Sequence, residues 1–132
     1  MIKRTLPALL IFTILCSFNV EKSFKGIWEY SGGIYNGKPE AASKDYKLQR
    51  SYKANDYEAS FLDNSEKPMI YEKGSYKLSG DTCLETQTYS LQQSKVLNIT
   101  IKYHYEIKND TLTFNGTLPN GTIVQEYWKK VK

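Results

Sequence analysis

The chain has 132 residues, with 18 Lys and Arg against 14 Asp and Glu and a formal net charge of +4. That length suits one domain built around one core. The charge is too small and too evenly spread for the basic footprint of a nucleic-acid binder, so no nucleic-acid partner is expected.

Residues 1–20 read as a secretory signal. "MIKR" supplies positive charge, and Leu6 to Cys16 is apolar and uncharged. The run is shorter than the roughly 20 residues needed to cross a bilayer, and Pro7 and the polar shift at Asn19 also disfavour a buried N-terminal helix. The protein is therefore expected to be exported, to a bacterial periplasm, outer envelope or the extracellular space. Cys16 offers a second outcome, a lipid-anchored N-terminus, although Leu15 stands where a bacterial lipobox wants a small residue. Membrane association is expected only in that case. Loss of residues 1–20 removes Lys3 and Arg4, leaving 16 basic residues against 14 acidic ones, a net charge of +2. It also leaves Cys83 alone, without a disulfide partner, as a small apolar strand residue.

From residue 21 to 132 the pattern is that of one all-β domain. Alternating segments rich in Tyr, Thr, Ile and Val occupy 24–35, 44–53, 57–62, 69–78, 82–91, 96–107, 111–117 and 122–131, separated by turn residues. About eight strands joined by hairpin-length connections give an up-and-down antiparallel meander, which closes into a barrel and so removes its exposed edges. The clearest strand is 96–107. Leu97, Ile99, Ile101, Tyr103, Tyr105 and Ile107 share one parity and are expected to face inward, while His104, the only histidine, points outward. In the last segment Val124, Glu126 and Trp128 oppose Ile123, Gln125 and Tyr127, and alternation alone does not say which set faces in.

Catalytic motifs are lacking. There is no HExxH, CxxC or GxSxG pattern. Glu85 and Glu126 could pair as acid and base, but strand carboxylates more often pair with lysines. "GGIYNGKP" at 32–39 nearly spells a phosphate-binding loop, yet Pro39 stands where Ser or Thr must hold magnesium, and Asn36-Gly37 reads as a hairpin turn. The four N-x-S/T triplets, beginning at Asn98, Asn109, Asn115 and Asn120, are what Thr-rich strands and Asn-containing turns produce by chance. A binding protein is expected rather than an enzyme, with no metal and no cofactor.

Gly26-Ile27-Trp28, at the start of the first strand, resembles the G-x-W signature of the lipocalin (calycin) superfamily. More closely, "FKGIWEY", "GSYKLSGDTCLET", "YEIKNDTLTFNG" and "EYWKKV" resemble a small lipocalin-like family of unknown function in bacterial secreted and envelope proteins. The resemblance implies a lipocalin-like barrel in which Trp28 plugs one end. A basic residue of the last strand, Lys129 or Lys130 in place of the usual arginine, would lie over it in a cation–π contact worth about 0.5–1 kcal/mol. The domain is shorter than a typical lipocalin, and other lipocalin motifs are not evident.

The expected function is to hold a small hydrophobic or amphipathic ligand inside the barrel. A barrel of eight strands is wide enough to pack solid or to hold one small ligand. Eleven tyrosines could line a pocket or fill the interior. Arg50, the only arginine after the signal, shares parity with Tyr46, Leu48 and Tyr52. An inward Arg50 could bind a ligand carboxylate, with Tyr46 or Tyr52 donating beside it and Ile99, Ile101 and Tyr103 against the tail. It could instead form an internal salt bridge to Glu85 or Glu126. The alternative function is a solid-cored envelope protein acting through protein contacts on its surface.

Overall fold

The computed structural model describes residues 23–64 and 67–131. The segment read as a signal, with Cys16, lies outside the described residues. The described chain contains nine strands and no helix: β1 Gly26–Tyr35, β2 Lys38–Glu40, β3 Lys47–Tyr52, β4 Asp56–Leu62, β5 Met69–Ser79, β6 Thr82–Ser90, β7 Thr100–Lys108, β8 Thr111–Thr117 and β9 Ile123–Lys130. From β3 to β9 each strand pairs antiparallel with the next. β1 pairs on one side with β9 and on the other with β3, which closes an eight-stranded barrel. The two ends of the chain meet there: Trp28 stands opposite Lys130, and Tyr30 opposite Trp128.

Turn chemistry fixes the hairpins. Asn36 and Gly37 have φ of 50° and 81°, and Asn109 and Asp110 have 51° and 56°. Both are two-residue loops with positive φ at each position, which Asn, Asp and Gly tolerate and whose twist matches that of paired strands. The near-phosphate-loop is thus a hairpin, and it adds a ninth strand to the eight expected. β2 continues along β1 beyond the reach of β3, pairing Gly33–Tyr35 with Lys38–Glu40.

One expected strand starts late. Residues 96–99 form a turn closed by Ile99 N–H donating to Val96 O at 3.1 Å, with Asn98 at φ 61°. β7 begins only at Thr100, and Leu97 and Ile99, expected to face inward, are 43% and 41% exposed. Asn98 is in the left-handed helical region rather than the extended one, so the chain turns there instead of continuing the strand. From Ile101 onward the expected alternation holds, with Tyr103 buried and His104 exposed.

The lower end of the barrel, where β1 begins and β9 ends, is filled. Phe24 folds beneath the barrel, with its ring 4.6 Å from Tyr52 and 5.2 Å from both Tyr76 and Tyr105. Trp28, 1% exposed, donates its indole N–H to Phe24 O at 2.8 Å. Lys130 Nζ lies 4.5 Å over the Trp28 ring and donates to the carbonyls of Ser23 and Lys25, tying the first described residues to the last strand. Lys129 is exposed on the opposite face. In β9, Val124 and Trp128 are buried and Ile123 is 63% exposed, so the set containing Glu126 faces inward.

Candidate functional site

Above this aromatic floor lies a group of ionisable side chains that strand alternation places inside. Arg50 on β3 stands beside Ala59 on β4, and Ala59 beside Glu72 on β5. Ala59 is fully buried and small, leaving room for the guanidinium to reach across it. Glu85 comes from β6 and is 5% exposed. Arg50 Nη1 donates to Glu85 Oε1 at 2.7 Å and to Tyr52 Oη at 2.9 Å, and Nη2 donates to Glu72 Oε2 at 3.4 Å. Tyr52 in turn donates to Glu85 Oε2 at 3.0 Å, and Tyr57 to Glu72 Oε2 at 2.7 Å. The guanidinium carbon is 5.2 Å from the Tyr57 ring centre and 5.0 Å from that of Trp128, so two aromatic faces hold its plane.

Burial sets the electrostatics. Loss of water raises the Glu85 carboxyl above its ordinary value, and Arg50 only partly offsets this. Burial alone would lower the Arg50 guanidinium, but Glu85 and Glu72 hold it well above its usual value, so it stays charged. Burial also raises the Tyr52 phenol, which remains a donor, and pushes the Cys83 thiol up to about 12. Cys83 is a buried, unreactive strand residue.

Arg50 faces inward, and its anionic partners are the protein's own Glu85 and Glu72. Glu126 instead accepts from the Tyr35 hydroxyl at 3.0 Å. Tyr52 belongs to the buried network, while Ile101 and Tyr103 border a cavity of about 100 Å³ together with Arg50, Glu72, Glu85 and Gln87. Tyr46 lies outside the strands, 40% exposed, with its ring 4.8 Å from Phe61. Ile99 is on the exposed turn. Glu72 and Tyr57 were missed, although alternation carried a signal: Glu72 shares parity with Tyr76 and Leu78, and Tyr57 with Ala59.

Two larger hollows flank this centre. One of about 950 Å³ lies outside Phe24, where Tyr76, Leu78 and Ile107 alternate with the charged Lys77, Asp81 and Glu106. The other, about 440 Å³, opens at the upper end between Tyr46, Leu48, Phe61, Met69, Tyr71 and Leu91. Leu48 is two residues before Arg50 on β3, hence on the same face, so this apolar mouth stands next above the ionic centre. Size alone favours the lower hollow; the chemistry of an apolar ligand favours the upper one.

Fold and site together define an up-and-down β-barrel with an apolar mouth above a buried ionic network. No family model and no curated sequence matches the chain. An uncharacterized protein from Bacteroides eggerthii shares the fold: it is 13% identical, with a TM-score of 0.61 over 83% of this chain and 100% of that one. A mutant of the fluorescent protein UnaG aligns over 83% of this chain and 96% of its own, at 9% identity and a TM-score of 0.42.

Proposed function

We propose that this is an exported lipocalin-like binding protein that holds a small hydrophobic or amphipathic molecule in the upper half of its barrel. It acts by binding rather than by catalysis. The observation that carries the reading is the upper mouth, a mainly apolar hollow of about 440 Å³ whose Leu48 is two residues from Arg50 on the same strand face. Ligand sites are typically concave and apolar, with a few fixed polar groups that set orientation. The G-x-W segment and the basic, then apolar, N-terminus support the superfamily and the exported location. Cys16 is the position at which lipidation would anchor the protein to a membrane.

A second reading rests on the packed lower interior, where Trp28, Tyr52, Tyr57, Phe114 and Trp128 are each at most 2% exposed. A core this full suits a barrel that acts through its outer surface in an envelope. Titration with medium-chain amphiphiles, followed by tryptophan fluorescence, separates the two. The binding reading expects saturable one-to-one binding below about 100 μM, about 5.5 kcal/mol. Absence of saturation up to the millimolar range, with the fold intact, leaves the surface reading.

A further inference from the structure

The buried centre carries more negative than positive groups. Among the described residues, Glu72 and Glu85 both contact Arg50, and Glu126 faces the same interior from β9. The guanidinium's two terminal nitrogens are already engaged, Nη1 by Glu85 and Tyr52 and Nη2 by Glu72. A ligand carboxylate entering here would have to displace one of the protein's own carboxylates and then sit among like charges in a site that water screens poorly. The opposite head group meets the reverse situation. Glu72 receives both of its hydrogen bonds at Oε2, from Arg50 and Tyr57, which leaves Oε1 without one among the described residues. Glu72 also borders the central cavity of about 100 Å³, which has room for a small head group, and Gln87 adds an amide there.

A second feature points to an acceptor. Arg50 Nε and the indole N–H of Trp128 are buried donors with no partner among the described residues. Buried donors are rarely left unpaired. The two belong to one stack, with the Arg50 guanidinium carbon 5.0 Å from the Trp128 ring centre, and Arg50 itself borders the cavity. An oxygen brought in beside them would remove an unmet demand.

We infer that the site takes a cationic amphiphile, a long-chain amine or amino alcohol, with its ammonium against Glu72, its oxygen toward Arg50, and its chain in the apolar mouth. The inference rests on the binding function proposed above and names its ligand class. It reverses the polarity that an inward arginine suggests by itself: the arginine neutralises part of an acidic centre rather than awaiting an acid.

The test is calorimetric titration of the folded protein near neutral pH with decylamine, a decyl amino alcohol, decanol and decanoic acid, all below micelle formation. The expected order is amino alcohol at least as tight as amine, then alcohol, then acid, with amine over acid by about tenfold or more, the scale of one charge-assisted hydrogen bond. Glu72→Gln keeps an acceptor for Tyr57 and Arg50 but removes the charge. It should weaken the amine about tenfold and leave decanol within about twofold. Circular dichroism and thermal midpoint verify that the variant is folded. Decanoic acid binding as tightly as the amine, or an amine affinity unchanged in a folded Glu72→Gln, overturns the inference while the carrier function stands. Failure of all four ligands to bind removes both.

Discussion

Replacing Arg50 with leucine isolates the ionic centre. The change deletes the 2.7 Å contact to Glu85 and the 3.4 Å contact to Glu72, and leaves Glu85 at 5% exposure without its cation. Removing one partner of a buried ion pair costs about 3–5 kcal/mol, because the stranded charge can neither return to water nor find another partner. With an m-value near about 1.3 kcal/mol/M for a domain of this size, a loss of about 4 kcal/mol moves the urea midpoint down by about 3 M. The stranded Glu85 has an escape, which is to take up a proton. The loss should therefore shrink in acid, where protonation is cheap. Adding Glu85→Leu to Arg50→Leu should restore much of the stability, since apolar residues often replace a buried pair without net loss. Urea unfolding of the wild type, Arg50→Leu, Glu85→Leu and the double variant, at neutral pH and in mild acid, completes the cycle. A loss below about 1 kcal/mol at neutral pH, or one equally large in acid, would refute a buried charge network at this position.

Other perturbations address separate parts of the structure. Trp28→Ala should cost about 3–5 kcal/mol in chemical unfolding, as expected for a fully buried aromatic, and Lys130→Gln should cost about 1 kcal/mol through the lost cation–π contact. Gly74→Ala should destabilise by about 3 kcal/mol or prevent folding, the upper range for overpacking. Its Cβ would lie 2.3 Å from Thr86 O and 2.4 Å from Tyr57 Cε1, and the first is a backbone atom that cannot turn aside. The Glu85 carboxyl is raised in the folded state, so the unfolded chain releases this proton first as pH rises. The contribution of Glu85 to stability is then full below the ordinary carboxylate range and is lost as pH climbs through its raised folded value. Glu85→Gln should flatten that part of the thermal-midpoint profile; an unchanged slope would mean that Glu85 titrates as an ordinary carboxylate.

Much of the barrel was legible because its strands carry a two-residue alternation that only one face can satisfy. Ile101, Tyr103, Tyr105 and Ile107 were placed correctly by parity, and so was Arg50. The Asn36-Gly37 hairpin was legible from the dipeptide, but the pairing of β2 was not, because all three of its residues are exposed and no burial pattern marks them. Leu97 and Ile99 failed for a different reason. Their parity is right for a strand, but Asn98 adopts the left-handed conformation open to asparagine and breaks the ladder. The register shift between Ala59 and Ser60 leaves Tyr71 of β5 as an extra residue and reverses the parity of β5 across it, so Met69 and Glu72 share a face; Thr88 is the extra residue where the register shifts between Lys73 and Gly74. Such shifts decide which residues stand opposite across the interior. That is why Glu72 went unnoticed as the second partner of Arg50 while Glu85 was anticipated.

A crystal structure with decylamine, grown below its micelle-forming concentration, tests most directly whether the upper barrel is a ligand site. The expected result is one ordered chain between Leu48, Phe61 and Tyr71, with its nitrogen within about 3 Å of the Glu72 carboxylate, the length of a charge-assisted hydrogen bond. An unchanged interior, with the amine absent or bound only to the outer face of the strands, would contradict it.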